Sequence, residues 1–151
     1  MTSENGGKDS KDGSVEAFLG AARGHCAEGE YDKALELYKK ALNACEEALG
    51  PEHPDSVSIC DEIARVHSMN EEFDESIEWY RKVLAIEEKT LGPEHPDAAT
   101  THSRIGNAYY ENGDDDKALD EHRRALEIRE KAPVPDGPAI ALTCHRIAAI
   151  Y

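Results

Sequence analysis

No apolar run in this 151-residue chain reaches the ~18 residues that a membrane-spanning helix needs. Residues Met1–Gly13 have no apolar stretch behind their lysines, so they do not form a secretory signal. They read as a disordered polar tail, residues 1–13. Basic charge is scarce. Lys+Arg 17 against Asp+Glu 32 leaves −15, which argues against nucleic acid and anionic membrane as general partners. Cysteine is scarce too. Cys26, Cys45, Cys60 and Cys144 include no C-x-x-C spacing, and four converging zinc ligands are missing. Reduced packing cysteines in a cytoplasmic protein follow. There is no Gly-rich phosphate loop, nucleophile elbow or metal-binding helix motif. Adjacent acids such as Glu46-Glu47 diverge by about 100° on a helix and do not converge on a substrate. Asp114-Asp115-Asp116 lacks the glycine and terminal glutamate of a calcium loop. The chain is therefore expected not to be an enzyme, with no catalytic residue, cofactor or metal.

Repetition is what the chain has in quantity. Leu49-Gly50-Pro51-Glu52-His53-Pro54-Asp55 returns unchanged as Leu91-Gly92-Pro93-Glu94-His95-Pro96-Asp97, an offset of 91 − 49 = 42. A fixed period of that size marks a repeat array. Ala34-Leu35, Ser76-Ile77 and Ala118-Leu119 align at this period, as do Tyr38, Tyr80 and His122. Within each unit the apolar residues keep helical spacing, as in Ala34, Tyr38, Ala41, Leu42 and Cys45. Gly29 and Gly113 mark short turns, and the Gly-Pro and His-Pro pairs mark longer linkers. Each unit thus reads as helix A, tight turn, helix B, proline linker. The A helices are expected at 15–28, 56–70, 98–112 and 139–151, and the B helices at 31–49, 73–91 and 115–131. The units run over about 15–56, 57–98 and 99–140, followed by a half unit at 141–151. Ala22, Ala64, Gly106 and Ala148 hold one register and Ala34, Ser76 and Ala118 another, where small side chains let helices cross closely. Glu36/Lys40, Glu78/Lys82 and Asp120/Arg124 are spaced as i,i+4 ion pairs on the solvated face.

The spacing Ala34…Tyr38…Ala41, with Ala21-Ala22 before it and Pro51 after it, resembles the tetratricopeptide repeat. The 42-residue unit with its LGPEHPD linker and the following Ala98-Ala99-Thr100 is similar to the kinesin light chain subgroup. The resemblance covers residues 14–151. It implies an all-α tetratricopeptide solenoid, a right-handed superhelix of helical hairpins with about seven helices. It also implies a protein-interaction scaffold whose A helices line a concave groove that takes a peptide segment.

In that register the expected groove residues are Leu19, Arg23, Arg65, Met69, Arg104, Asn107, Tyr110 and Arg146. Arginine concentrates on the A helices of an otherwise acidic chain. Its fork suits carboxylates, so an acidic peptide is the expected ligand, with Leu19, Met69 and Tyr110 as apolar contacts. The bland reading is that these arginines pair with neighbouring acids and keep the face soluble. Some tetratricopeptide domains hold the C-terminal carboxylate of chaperones with basic and asparagine residues. Leu19, Arg23, Glu62, Thr100 and Arg104 stand at those positions here, and Leu19, Glu62 and Thr100 exclude that ligand. Helix A of the half unit has no following helix to cover Ile147, Ile150 and Tyr151. That favours either a piece of a longer array or self-association through the C-terminal helix. A structural array fragment with a vacant groove is the alternative to the peptide-binding module.

Overall fold

The computed structural model describes residues 6–151, with side chains from residue 13 onward; Met1–Asn5 lie outside the described residues. The described chain is all helical: α1 Gly6–Ala27, α2 Tyr31–Leu49, α3 Pro54–Met69, α4 Phe73–Thr90, α5 Pro96–Glu111, α6 Asp115–Lys131 and α7 Gly137–Ile150. It divides into two compact units, Met1–Glu72 with α1 to α3 and Phe73–Tyr151 with α4 to α7.

Helices α2 and α6 occupy the expected ranges. Helix α1 starts at Gly6 rather than Val15, so residues 6–13 extend a helix where a disordered tail was expected. Once packing on α2 nucleates the helix, each further residue adds a hydrogen bond at little cost. The start of α3 and α5 is two residues earlier than expected. Pro54 and Pro96 are the first helical residues, not the last linker residues. Proline suits that position because its missing N–H would have no intrahelical partner. His53 and His95 are the N-caps. In each, Nδ1 accepts from the backbone N–H two residues on, Asp55 or Asp97, at 3.2 Å. The linker histidines are thus capping groups.

The tight turns repeat in detail. Glu30 N donates to His25 O, Glu72 N to His67 O and Asp114 N to Tyr109 O, each at 2.9 Å. The residue before each donor has positive φ: Gly29 at 75°, Glu71 at 60° and Gly113 at 83°. Side chains reinforce the turn. His25 Nδ1 lies 2.5 Å from Glu30 Oε2, and His67 Nδ1 lies 2.6 Å from Glu72 Oε2. That hydrogen bond, above all, holds the Glu72 carboxyl below the usual carboxylate range. In the third turn Asp114 caps α6 instead, accepting from Lys117 N at 3.2 Å and pairing with Lys117 Nζ at 2.6 Å.

In the first unit the core joins Leu19 and Ala22 of α1 to Ala34, Leu35, Tyr38, Ala41, Leu42 and Cys45 of α2. Ile59, Cys60, Ile63, Ala64 and Val66 of α3 are also buried. Fully burying one aliphatic or aromatic side chain of this kind contributes about 1.5–3 kcal/mol. In the second unit Ile77, Tyr80, Val83, Leu84, Ala99, Ile105, Ala118, Ala125 and Ile128 are buried. A polar seam crosses it. His102 Nδ1 meets Glu121 Oε2 at 2.6 Å, and Arg81 donates to the Tyr109 hydroxyl at 2.8 Å, joining α4, α5 and α6. The small register holds where a neighbouring helix crosses: Ala22 and Ala64 are fully buried, as is Ala118. At Gly106 a Cβ would fall 2.9 Å from Cε1 and Nε2 of buried His122. Ala148 is exposed, as is Cys144, expected on an apolar face; of α7 only Thr143 is buried among the described residues.

Two local expectations change. Glu36 and Lys40 pair at 2.9 Å as expected. Lys82, however, lies over the Trp79 ring at 5.1 Å, and Arg124 turns to Glu127 at 2.9 Å and Glu94 at 3.0 Å. The third linker also differs. Gly50 and Gly92 take φ of 97° and 98°, and Val134 stands at the corresponding place. A β-branched residue disfavours that conformation. The linker is rebuilt there, and Asp136, not the position equivalent to His95, caps α7.

Candidate functional site

The first unit contains an open hollow of about 640 Å³. Val15, Glu16, Leu19 and Arg23 of α1 form one wall, and Ser58, Ile59 and Glu62 of α3 form the other. The floor and one end come from Cys45, Ala48 and Leu49 of α2 and from His53 and Asp55 at the start of α3. The walls follow from helical spacing: Val15, Leu19 and Arg23 are four residues apart, so one face of α1 looks into the hollow. Leu49 is partly exposed, while Leu19 and Ile59 are nearly buried, so the hollow is apolar at depth and polar at its rim. Its charge is acidic: Glu16, Asp55 and Glu62 against Arg23. Asp55 reaches the rim because α3 starts at Pro54.

The expected groove residues separate into groups. Leu19 and Arg23 both line the hollow. Arg65 is exposed, and its Nη2 donates to Glu62 Oε2 at 2.8 Å, one turn earlier on α3. Met69 stands exposed on α3 outside the lining. In the second unit Arg146 of α7 donates from Nη1 to Asn107 Oδ1 of α5 at 2.7 Å. Arg104 is half-buried on the same α5, and Tyr110 is exposed toward its end. Arg129 of α6 was missed. Its Nη1 donates to Ser103 Oγ at 3.0 Å and also to Thr143 Oγ1. Desolvation holds its guanidinium below the usual arginine range. The period carried the signal: Cys45, Glu87 and Arg129 share one register, and this position meets the next A helix. Glu87 does so through Thr101 Oγ1, which donates to its Oε2 at 2.7 Å.

His25, Glu28 and Glu30 bring three ligand-type atoms within 4.8 Å of one another. Lys33 Nζ already sits 2.6 Å from Glu30 Oε1, and the His–Glu bond recurs at His67–Glu72 as a turn lock. The cluster is explained as local structure.

Comparison with known proteins agrees with this architecture. The family described as tetratricopeptide repeat matches residues 14–69, 61–131 and 98–151. Among solved structures, BtubC (BKLC) from P. vanneervenii superposes with a TM-score of 0.78 at 24% identity, over 91% of this chain and 55% of that one. A putative kinesin light chain with nearly identical TPR-like repeats, from Podosopora anserina, gives a TM-score of 0.76 at 27% identity, over 91% and 65%. The N-terminal domain of stress-induced protein-1 from C. elegans gives 0.66 at 18% identity, over 95% and 98%. The chain thus spans between half and two thirds of the length of the first two. A search of curated proteins found no match.

Proposed function

The chain belongs to the tetratricopeptide repeat family, with kinesin light chain-like repeats in an all-α solenoid, and from that premise we propose that it is a non-enzymatic scaffold that holds a peptide segment of a protein partner against its A helices. Tetratricopeptide repeats are typically protein-interaction modules. The observation that carries the reading is the first-unit hollow, with apolar depth at Leu19 and Ile59 and charged rims at Arg23, Glu16 and Glu62. Ligand sites combine an apolar body with a few polar groups that fix orientation. The carboxylates at this rim favour a segment carrying an apolar side chain beside a cation. The acidic-peptide preference expected from arginine content draws its support from the second unit, where Arg129 and Arg146 meet hydroxyl and amide oxygens. A reducing, cytoplasmic setting suits the buried thiols of Cys45 and Cys60.

Selection from a displayed peptide library, followed by anisotropy titration, tests this. Ser58→Trp fills the exposed rim without touching the core, and we expect it to weaken the selected peptides at least tenfold. Unchanged affinity would remove the hollow as the site. A second reading draws on α7, where Leu142 is 54% and Tyr151 82% exposed. This face suits stacking of a further hairpin or a second copy. Sedimentation that shifts with concentration, abolished by Leu142→Glu, would favour it.

A further inference from the structure

We propose that the second unit holds a carboxylate-binding site between α5, α6 and α7, with Arg129 and Arg146 as its charged forks and Ser103, Asn107 and Thr143 as the groups that aim them. It deepens the peptide reading above and rests on it for the source of the carboxylate, an aspartate, glutamate or C-terminus of the bound segment.

Arg129 lacks the partner that its surroundings call for. Guanidinium groups drawn out of water are ordinarily matched by carboxylates, because desolvating a charge is costly unless it is paired. Arg129 is half-buried, yet its donors go to two hydroxyls, Ser103 Oγ and Thr143 Oγ1. Among the described residues no carboxylate lies within 4.0 Å of it or of Arg146. The acid whose field reaches Arg129 is Asp136. Its Oδ1 is committed to capping α7, accepting from Ala139 N at 3.1 Å. Arg146 is likewise spent on a neutral acceptor, Asn107 Oδ1. Three other arginines of this acidic chain find carboxylates: Arg65 finds Glu62, Arg81 lies 3.6 Å from Glu121, and Arg124 has two. Arg123 also donates to a neutral oxygen, the Tyr151 hydroxyl, but it is exposed; Arg129 is half-buried while its donors meet hydroxyls.

The register sharpens this. At the position of Arg129 the preceding repeat has Glu87, which accepts from Thr101. Thr101 and Thr143 are equivalent. The threonine is kept and the charge facing it is inverted. Its guanidinium comes from a B helix, unlike the A-helix arrangement excluded above for chaperone C-termini. Both arginines also act on one buried group. His122 is 1% exposed, and its Nδ1 has no hydrogen-bond partner. Burial first, then Arg146 and Arg129, push its pKa down, while Glu121 pulls it up. An anion on the two guanidinium groups would cancel their share of that push.

The probes are sodium succinate and inorganic phosphate, titrated at constant ionic strength into the full chain, with the arginine Nε–Hε and histidine ring signals followed by NMR. We expect saturable shifts of Arg129 and Arg146 with succinate, and an upward move of the His122 titration midpoint at saturation. Arg146→Gln, at an exposed position, should weaken succinate at least fivefold; Arg129→Lys, which keeps the charge and loses the fork, should also weaken it. Saturation by phosphate but not succinate overturns the carboxylate assignment. Shifts that are linear in added salt, or unchanged in Arg146→Gln, overturn the site. Ser58→Trp should leave succinate binding intact, so loss of peptide binding in that variant with succinate retained separates failure of the peptide reading from failure of this one.

Discussion

Replacing Gly106 by alanine should destabilise the protein, although alanine is the better helix former. In an unencumbered helix interior the change would stabilise by about 1 kcal/mol. Here the new methyl would fall 2.9 Å from Cε1 and Nε2 of His122 and 3.1 Å from its Cδ2. The ring cannot easily retreat, because His122 is 1% exposed and surrounded by core. Overpacking of this kind costs about 1–3 kcal/mol. The net expectation for Gly106→Ala is therefore a loss of up to ~2 kcal/mol. His122→Ala removes the obstacle at its own cost. In that background Gly106→Ala should recover the helix-propensity gain and stabilise by about 1 kcal/mol. A double-mutant cycle isolates the difference as a coupling of at least ~1 kcal/mol. Urea unfolding followed by circular dichroism at equilibrium is the assay. If Gly106→Ala gives the same change in both backgrounds, the Gly106–His122 contact is misplaced, and with it the crossing of α5 and α6.

Two further outcomes follow from the turns and the buried histidine. Glu71 carries a side chain at φ 60°, where Gly29 and Gly113 stand in the other turns. Glu71→Gly should stabilise by ~0.5–1 kcal/mol, the left-handed strain relieved less the entropy that glycine gains when unfolded; a lower melting temperature would contradict that. His122 has its folded pKa below the unfolded value of about 6.5, so the unfolded state binds more protons between the two. Its contribution is complete above pH 6.5 and declines as pH falls below it. His122→Tyr, which restores the residue type of Tyr38 and Tyr80, should flatten that part of a stability–pH profile measured from pH 7 to 5. An unchanged slope would show that His122 does not titrate against folding.

How far the sequence could be read varies with the physics involved. The starts of α2 and α6 were legible because a turn glycine, Gly29 or Gly113, stands just before each, and helical periodicity runs on to the far end. The starts of α3 and α5 were not, because proline reads as a breaker unless its place as first helical residue is recognised. Glu71 hid the second turn's left-handed residue behind a non-glycine. The small register at Ala22, Ala64 and Gly106 was visible, but the reason Gly106 must be smaller still lies in its neighbour His122. The groove walls at Leu19 and Arg23 came from spacing. The floor at Cys45 and Leu49 did not, since it depends on how far the end of α2 reaches under α1 and α3. Which acid an arginine chooses was least legible. Arg65 takes Glu62 one turn away, and Arg129 takes hydroxyls, through rotamers that no spacing rule specifies.

The most direct test of the central claim is an amide NMR footprint of a library-selected peptide on the isotope-labelled chain. The account predicts shifts concentrated at residues lining the first-unit hollow, Glu16, Leu19, Arg23, Ser58, Ile59 and Glu62. Acidic peptides should add shifts at Ser103, Asn107, Arg129 and Thr143. A footprint confined to the solvated faces of α2, α4 and α6, or to α7 alone, would contradict it.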